Sequence, residues 1–166
     1  MGTWVAEDGL GLALRITYHP DRHRLRGNAV NRTQLQQLAE ERVRDAEVLL
    51  NAGQWSGAYY LAGYAVECGL KACVAKMTNL HDYPNKDLAV KCYTHKIEAL
   101  VELAGVKNQR DADATANAAL GANWLIVKDW DEKARYQQWT EPQARKLFAA
   151  VSDATNGALP WIKGHW

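Results

Sequence analysis

The chain has 166 residues, 48% of them apolar, with 20 Lys and Arg against 19 Asp and Glu and a formal net charge of +1. That length suits one domain, or one domain with an extension, and it is enough to bury a core without disulfide staples. The apolar fraction excludes disorder as the default state, and the near-balanced charge excludes a protein that grips nucleic acid by bulk charge, though not one with a local basic face.

Residues 1–30 differ from the rest of the chain. Leu12, Leu14, Ile16 and Tyr18 alternate with Ala13, Arg15, Thr17 and His19. This is strand periodicity, and Glu7-Asp8-Gly9 before it predicts a short hairpin back to Trp4-Val5. A basic tract, Arg22-His23-Arg24-Leu25-Arg26, follows Pro20-Asp21. It reads as a solvated tail or as a phosphate contact. Residue 30 is Val, which a GUG start codon can encode, so residues 1–29 read either as an extension or as an upstream read-in that the native protein lacks. No apolar run with a basic start marks a secretory signal here, and no stretch of the chain approaches the roughly 20 apolar residues that span a bilayer. A cytoplasmic protein is expected.

From Asn31 the periodicity is helical. The first helix is predicted over about Thr33 to Ala52, capped by Asn31 or Thr33 and stopped by Gly53. Leu35, Leu38, Val43, Ala46 and Leu49 or Leu50 make its apolar stripe. The second helix, about Ser56 to Met77, carries Ala58, Ala62, Ala65, Gly69 and Cys73 on one face. Small residues on one stripe let a neighbour approach closely, so this helix is expected at the centre. The three cysteines, Cys68, Cys73 and Cys92, match no disulfide scaffold and no CxxC motif. Cys68 and Cys73 read as small buried residues of a reducing compartment.

A polar connection, about Thr78 to Tyr93, leads to a third helix that Thr94 caps and Gly105 ends. A fourth helix is predicted over about Asp111 to Lys128, followed by a Trp- and charge-rich corner from Trp130 to Trp139. Thr140-Glu141-Pro142-Gln143 is a strong start signal for a fifth helix. Asn156-Gly157 then precedes a last short piece with Trp161 and Ile162. The fold expected is all-α: an antiparallel bundle of about five helices over 31–166, with residues 1–30 as an extension. A bundle by itself declares no function.

Particular residues carry a resemblance. Leu38-Ala39, Ala46, Leu49-Leu50 and Gly53 are followed by Ala58-Tyr59-Tyr60-Leu61-Ala62, then Ala65-Val66-Glu67 and Leu70-Lys71-Ala72. Further on stand Tyr93-Thr94-His95, Trp130, Arg135-Tyr136, Pro160-Trp161-Ile162 and His165-Trp166. From about Asn31 to Trp166 this pattern resembles the HEPN domain family, in its stand-alone bacterial form. The resemblance implies a homodimeric helical bundle. It also implies a toxin–antitoxin or antiviral setting, with metal-independent RNA cleavage in many members. Others bind a nucleotide or pair with a nucleotidyltransferase.

The cleaving members use an Arg followed a few residues later by His. Here Asn123 and Lys128 stand at those places, and no His follows Arg110 or Arg135 at that spacing. Cleavage through the 2′-hydroxyl needs a group that moves a proton near neutral pH and a cation for the developing phosphate charge. Lys128 supplies charge but is a poor proton shuttle. The expectation is therefore a non-catalytic module that binds RNA, a nucleotide or a protein partner, without cofactor. Its rivals are an RNase with a rearranged site and a purely structural dimer.

Arg135 and Tyr136 are the first-choice binding residues, with Tyr136 free to stack on a base. Their bland alternative is a corner ion pair of Arg135 with Asp131, four residues back, beside a packed Tyr. Lys128 and His95 complete the binding set, although a His after a capping Thr is more often a surface or packing residue. Glu67 and Lys71, at i,i+4 on the central helix, form a polar cluster in a dimer cleft or a structural ion pair. Asp131 is counted with them as a structural polar residue. His81, Asp82, Cys92 and His95 match no common zinc spacing, so no metal site is expected.

Overall fold

The computed structural model describes residues 30–78 and 86–166. The hairpin and basic tract expected in the extension, and His81 and Asp82, lie outside the described residues. Within them the chain is helical, with no strand. The α-helices are α1 (Arg32–Asn51), α2 (Trp55–Lys76), α3 (Lys86–Lys91), α4 (Ile97–Leu103), α5 (Lys107–Ala116), α6 (Ala118–Val127), α7 (Glu141–Ser152) and α8 (Ala158–Lys163), with a 3₁₀ helix over Glu132–Tyr136.

Asn31 caps α1: its side chain accepts the Gln34 N–H at 2.9 Å, and Gln34 Oε1 accepts the Asn31 N–H at 2.9 Å. Two orphan donors of the first turn are thereby satisfied reciprocally. Gly53 ends the helix with φ +74°, a conformation that a Cβ disfavours. The buried face of α1, with Ala39, Ala46 and Leu50, packs along α2.

Helix α2 is the centre of the molecule. Every residue from Ala62 to Leu70 except Tyr64 is buried, and the helix touches α1, α4, α7, α8 and the 3₁₀ helix. The stripe of small residues has the expected use. A Cβ on Gly63 would lie 2.3 Å from the indole of Trp130, and one on Gly69 would lie 3.0 Å from Ile162. Glycine at these two places lets the Trp130 corner and α8 sit directly on the α2 backbone.

Three expectations need correction. The polar connection expected over about Thr78 to Tyr93 contains a short helix, α3. The third helix starts at Ile97 after Lys96; Thr94 makes a local turn, its Oγ1 accepting the Lys96 N–H at 3.2 Å. The fourth helix is two helices. Asn117 adopts φ −126° and ψ 96°, outside the helical region, and its side chain accepts the N–H groups of Ala119 and Leu120. An asparagine there offers the backbone a cap in place of a continuing turn. The fifth helix starts as expected, with Gln143 Oε1 accepting both the N–H and the hydroxyl of Thr140. It stops at Ser152, before the Asn156-Gly157 break.

Candidate functional site

The polar and aromatic residues that stand out in the sequence fall into three places. The first lies on the central helix. Glu67 is 1% exposed, and its Oε1 accepts the Lys71 ammonium at 2.8 Å and meets His95 Nδ1 at 2.9 Å. Lys71 belongs to the next turn of α2, while His95 comes from the segment entering α4. A carboxylate so deep in the protein has to be paired, and this one is paired twice through one oxygen. Its Oε2 is buried without a hydrogen-bond partner.

The carboxylate fixes the imidazole. With Nδ1 turned to Glu67, the neutral ring carries its proton there, and Nε2 is left as an acceptor. The His95 side chain keeps 43% of its exposure, so the ring is anchored at one edge and wet at the other. Around the cluster, burial pushes the Tyr64 hydroxyl up to about 12 and the Cys68 thiol up to about 11, the Glu67 charge adding to both. Both groups stay neutral near pH 7.

The second place is the corner after α6. Arg135 lies over the ring of Tyr136 with its guanidinium 4.8 Å from the centroid. Interaction with Tyr136, the largest influence, and with Tyr60 holds the Arg135 pKa above its usual value. Tyr136 is 78% exposed. Tyr60 continues the surface inward: it stacks on Tyr64 and tilts against the buried Trp130, each at 5.9 Å. Alongside, Tyr59 stacks on Trp139 at 3.6 Å. The alternative ion pair at this corner does not form. The Asp131 carboxylate caps the 3₁₀ helix instead, accepting the Lys133 N–H at 2.9 Å. Tyr136 is correspondingly open to solvent and not packed. Among the described residues no hydrogen bond or ion pair joins Asp131 to Glu67 or Lys71, which are held to each other.

The third place is a cavity of about 660 Å³ between α4, α5 and α6. Lys128 lines it together with Glu98, Arg110, Asp111, Trp124 and Leu125. Arg110 is 8% exposed. It grips Glu98 bidentately at 2.8 and 3.0 Å and reaches Asp111 at 2.6 Å. Its guanidinium stands over the Trp124 ring at 5.5 Å. The carboxylates raise its pKa further, Glu98 foremost.

The four candidate binding residues are therefore not one site. Arg135 and Tyr136 are together, Lys128 belongs to the α5–α6 cavity, and His95 belongs to Glu67. The Arg110–Glu98 pair escaped the sequence reading, which weighed Arg110 only for a following His. Their pairing crosses from α5 to α4, and no local spacing announces it. Tyr60 and Tyr64, one turn apart on α2, carried a visible i,i+4 signal. Among the described residues, no three His, Cys, Asp or Glu side chains gather as a metal site, and no helix is long and apolar enough to cross a membrane. No family model, curated protein or solved structure matches this chain.

Proposed function

We propose that this chain is a HEPN-like helical module that binds single-stranded RNA or a nucleotide without cleaving it. The observation that carries the reading is Arg135 lying on the exposed ring of Tyr136 and running back to Tyr60. Base–aromatic stacking is worth about 1–3 kcal/mol per base, and every base has a face to offer. The guanidinium adds a planar cation that meets phosphate bidentately. A near-neutral chain binds RNA through such a local feature, since it has no excess of charge to spread. By the HEPN resemblance, the module works as a homodimer in a toxin–antitoxin setting or beside a nucleotidyltransferase-type partner. Binding of a fluorescein-labelled single-stranded RNA, followed by anisotropy at fixed salt, tests the reading. Arg135→Ala and Tyr136→Ala should each weaken binding roughly tenfold while leaving the helical circular dichroism unchanged, the scale expected for one lost stacking or charged contact. Equal binding by both variants would contradict it.

A second reading draws on a separate observation, the His95–Glu67 pair. A histidine held at Nδ1 by a buried carboxylate is built to accept a proton at Nε2. In RNA cleavage, Nε2 would take the 2′-hydroxyl proton as the 2′ oxygen attacks phosphorus. The bond to the 5′ oxygen then breaks, and that oxygen receives the proton. The products are a 2′,3′-cyclic phosphate and a 5′-hydroxyl, with no metal required. Purified protein in chelator should then release these ends, and His95→Ala should slow release by about 10²–10⁴-fold, the usual worth of a general base. Intact RNA after prolonged incubation would remove this second reading and leave the first untouched.

A further inference from the structure

We infer that His95 is a phosphoryl-acceptor site, its Nε2 taking the phosphoryl group of a small nitrogen-bound donor of the phosphoramidate class. The ring is anchored at one edge only. Nδ1 meets Glu67 Oε1 at 2.9 Å, and that glutamate is 1% exposed. Nε2 has no hydrogen-bond partner among the described residues and is not closed off from water, the side chain being 43% exposed. Imidazole is a nucleophile at its unprotonated nitrogen, and a proton fixed on Nδ1 leaves the lone pair on Nε2. The carboxylate behind the ring raises the basicity of that nitrogen, as it does for histidines that bind metals.

The step balances without a further reactant. The Nε2 lone pair attacks phosphorus and the Nε2–P bond forms. The donor's P–N bond breaks, its electron pair leaving on ammonia. The ring becomes cationic and keeps its Nδ1 proton, and the Glu67 carboxylate beside that proton stabilises the developing charge. Cations stand ready for the phosphoryl oxygens. The Lys71 ammonium shares Glu67 Oε1 at 2.8 Å, so it lies beside the ring. Lys96 follows one residue on, exposed and without an ion-pair partner among the described residues. The general-base reading of the same ring is a different reaction: there Nε2 takes a proton, and here it takes phosphorus. His165 supplies an internal comparison. Its Nδ1 also faces an acceptor at 2.9 Å, but that acceptor is the uncharged Trp161 carbonyl, and the ring is stacked on Trp161 at 4.0 Å.

In the test, the folded full chain is incubated with phosphoramidate at neutral pH. The acid-labile, alkali-stable adduct is followed by peptide mass mapping and ³¹P NMR. His95 should be phosphorylated about tenfold or more faster than His165, the scale of one hydrogen bond to a charged group, and as the Nε2 isomer alone. Glu67→Gln should bring the rate at His95 down to that at His165, with the His165 rate and the helical circular dichroism unchanged. His95→Gln should remove the adduct, and urea should abolish the preference between the two histidines. Equal rates at both histidines, a mixture of Nδ1 and Nε2 isomers on His95, a rate indifferent to Glu67→Gln, or no adduct at residue 95 would each overturn the proposal. The rate ratio and the isomer in the unaltered chain decide the matter even where Glu67→Gln loses its fold. The RNA-cleavage experiment reports on proton transfer alone, so the two readings of His95 fail independently.

Discussion

At the scale of single residues, Gly63 and Glu67 show how closely α2 is specified. The Trp130 indole occupies the place where a Cβ would stand at residue 63, and Trp130 is itself 2% exposed, with no open space to retreat into. Gly63→Ala should therefore destabilise the protein by about 1–3 kcal/mol, the usual cost of overpacking, despite the better helix propensity of alanine. Urea unfolding of the variant checks this, and an unchanged midpoint would mean that the corner is softer than its packing implies. Glu67 has the opposite character. Glu67→Gln keeps the shape but removes the charge that Lys71 and His95 share. Both partners are partly exposed and can turn to water, so the loss should be about 1–3 kcal/mol, below the cost of stranding a fully buried ion. The pairing of residue 67 with residue 95 was not legible in the sequence. The i,i+4 spacing gave Lys71, but only the packing of α4 on α2 brings His95 to the same oxygen. Arg135 and Asp131 failed in the other direction. Their i,i+4 spacing promised an ion pair, but a 3₁₀ helix does not bring such residues together as an α-helix does, and the aspartate caps it instead.

At the scale of elements, strong periodicity and strong punctuation were read correctly. Helix α1 has its cap at Asn31 and its stop at Gly53, α4 ends at Gly105 with φ +68°, and α7 starts at Thr140 with Pro142 in the first turn. The break between α5 and α6 was missed, because Ala-Thr-Ala-Asn-Ala-Ala is compatible with one long helix by propensity. The signal was Asn117 itself, which is a better cap than a helix-interior residue. Its side chain also donates to Asn156 Oδ1 at 2.8 Å, tying the break to the turn before α8. Asn117→Ala should cost about 1–2 kcal/mol, and amide hydrogen exchange should accelerate chiefly in the first turn of α6, where the Ala119 and Leu120 N–H groups lose their acceptor. Uniform acceleration along α5 and α6 would instead mean that the cap holds the whole pair of helices.

At the scale of the whole molecule, the all-α class was legible because the apolar period stays helical from Asn31 onward. Two of the candidate sites were legible in part, as the Glu67–Lys71 and Arg135–Tyr136 pairs, but His95 and Tyr60 join them from other elements and the Arg110–Glu98 pair crosses from α5 to α4, so no local spacing announced them. The buried thiols and the Tyr64 phenol set the alkaline limit of stability. Burial raises Cys68 and Cys73 from 9.0 to about 11 and Tyr64 from 10.0 to about 12. The folded chain thus holds these protons more tightly than the unfolded one. The stability they represent is complete below the unfolded values and is lost as the pH rises through the folded ones. The urea midpoint should accordingly fall steadily above about pH 9, and a flat profile to pH 11 would contradict this account of the core.

If this near-neutral chain binds RNA through one stacked cation, Arg135 on Tyr136, the salt dependence of its RNA affinity will be small and will rest on Arg135. The slope of log affinity against log salt counts the phosphate contacts, each worth about 0.7 on single strands. The slope should be shallow for the unaltered protein, lowered by about one contact in Arg135→Ala and unchanged in Tyr136→Ala, with affinity reduced in both. A steep slope that Arg135→Ala leaves unchanged would place the phosphate contacts elsewhere and contradict the claim.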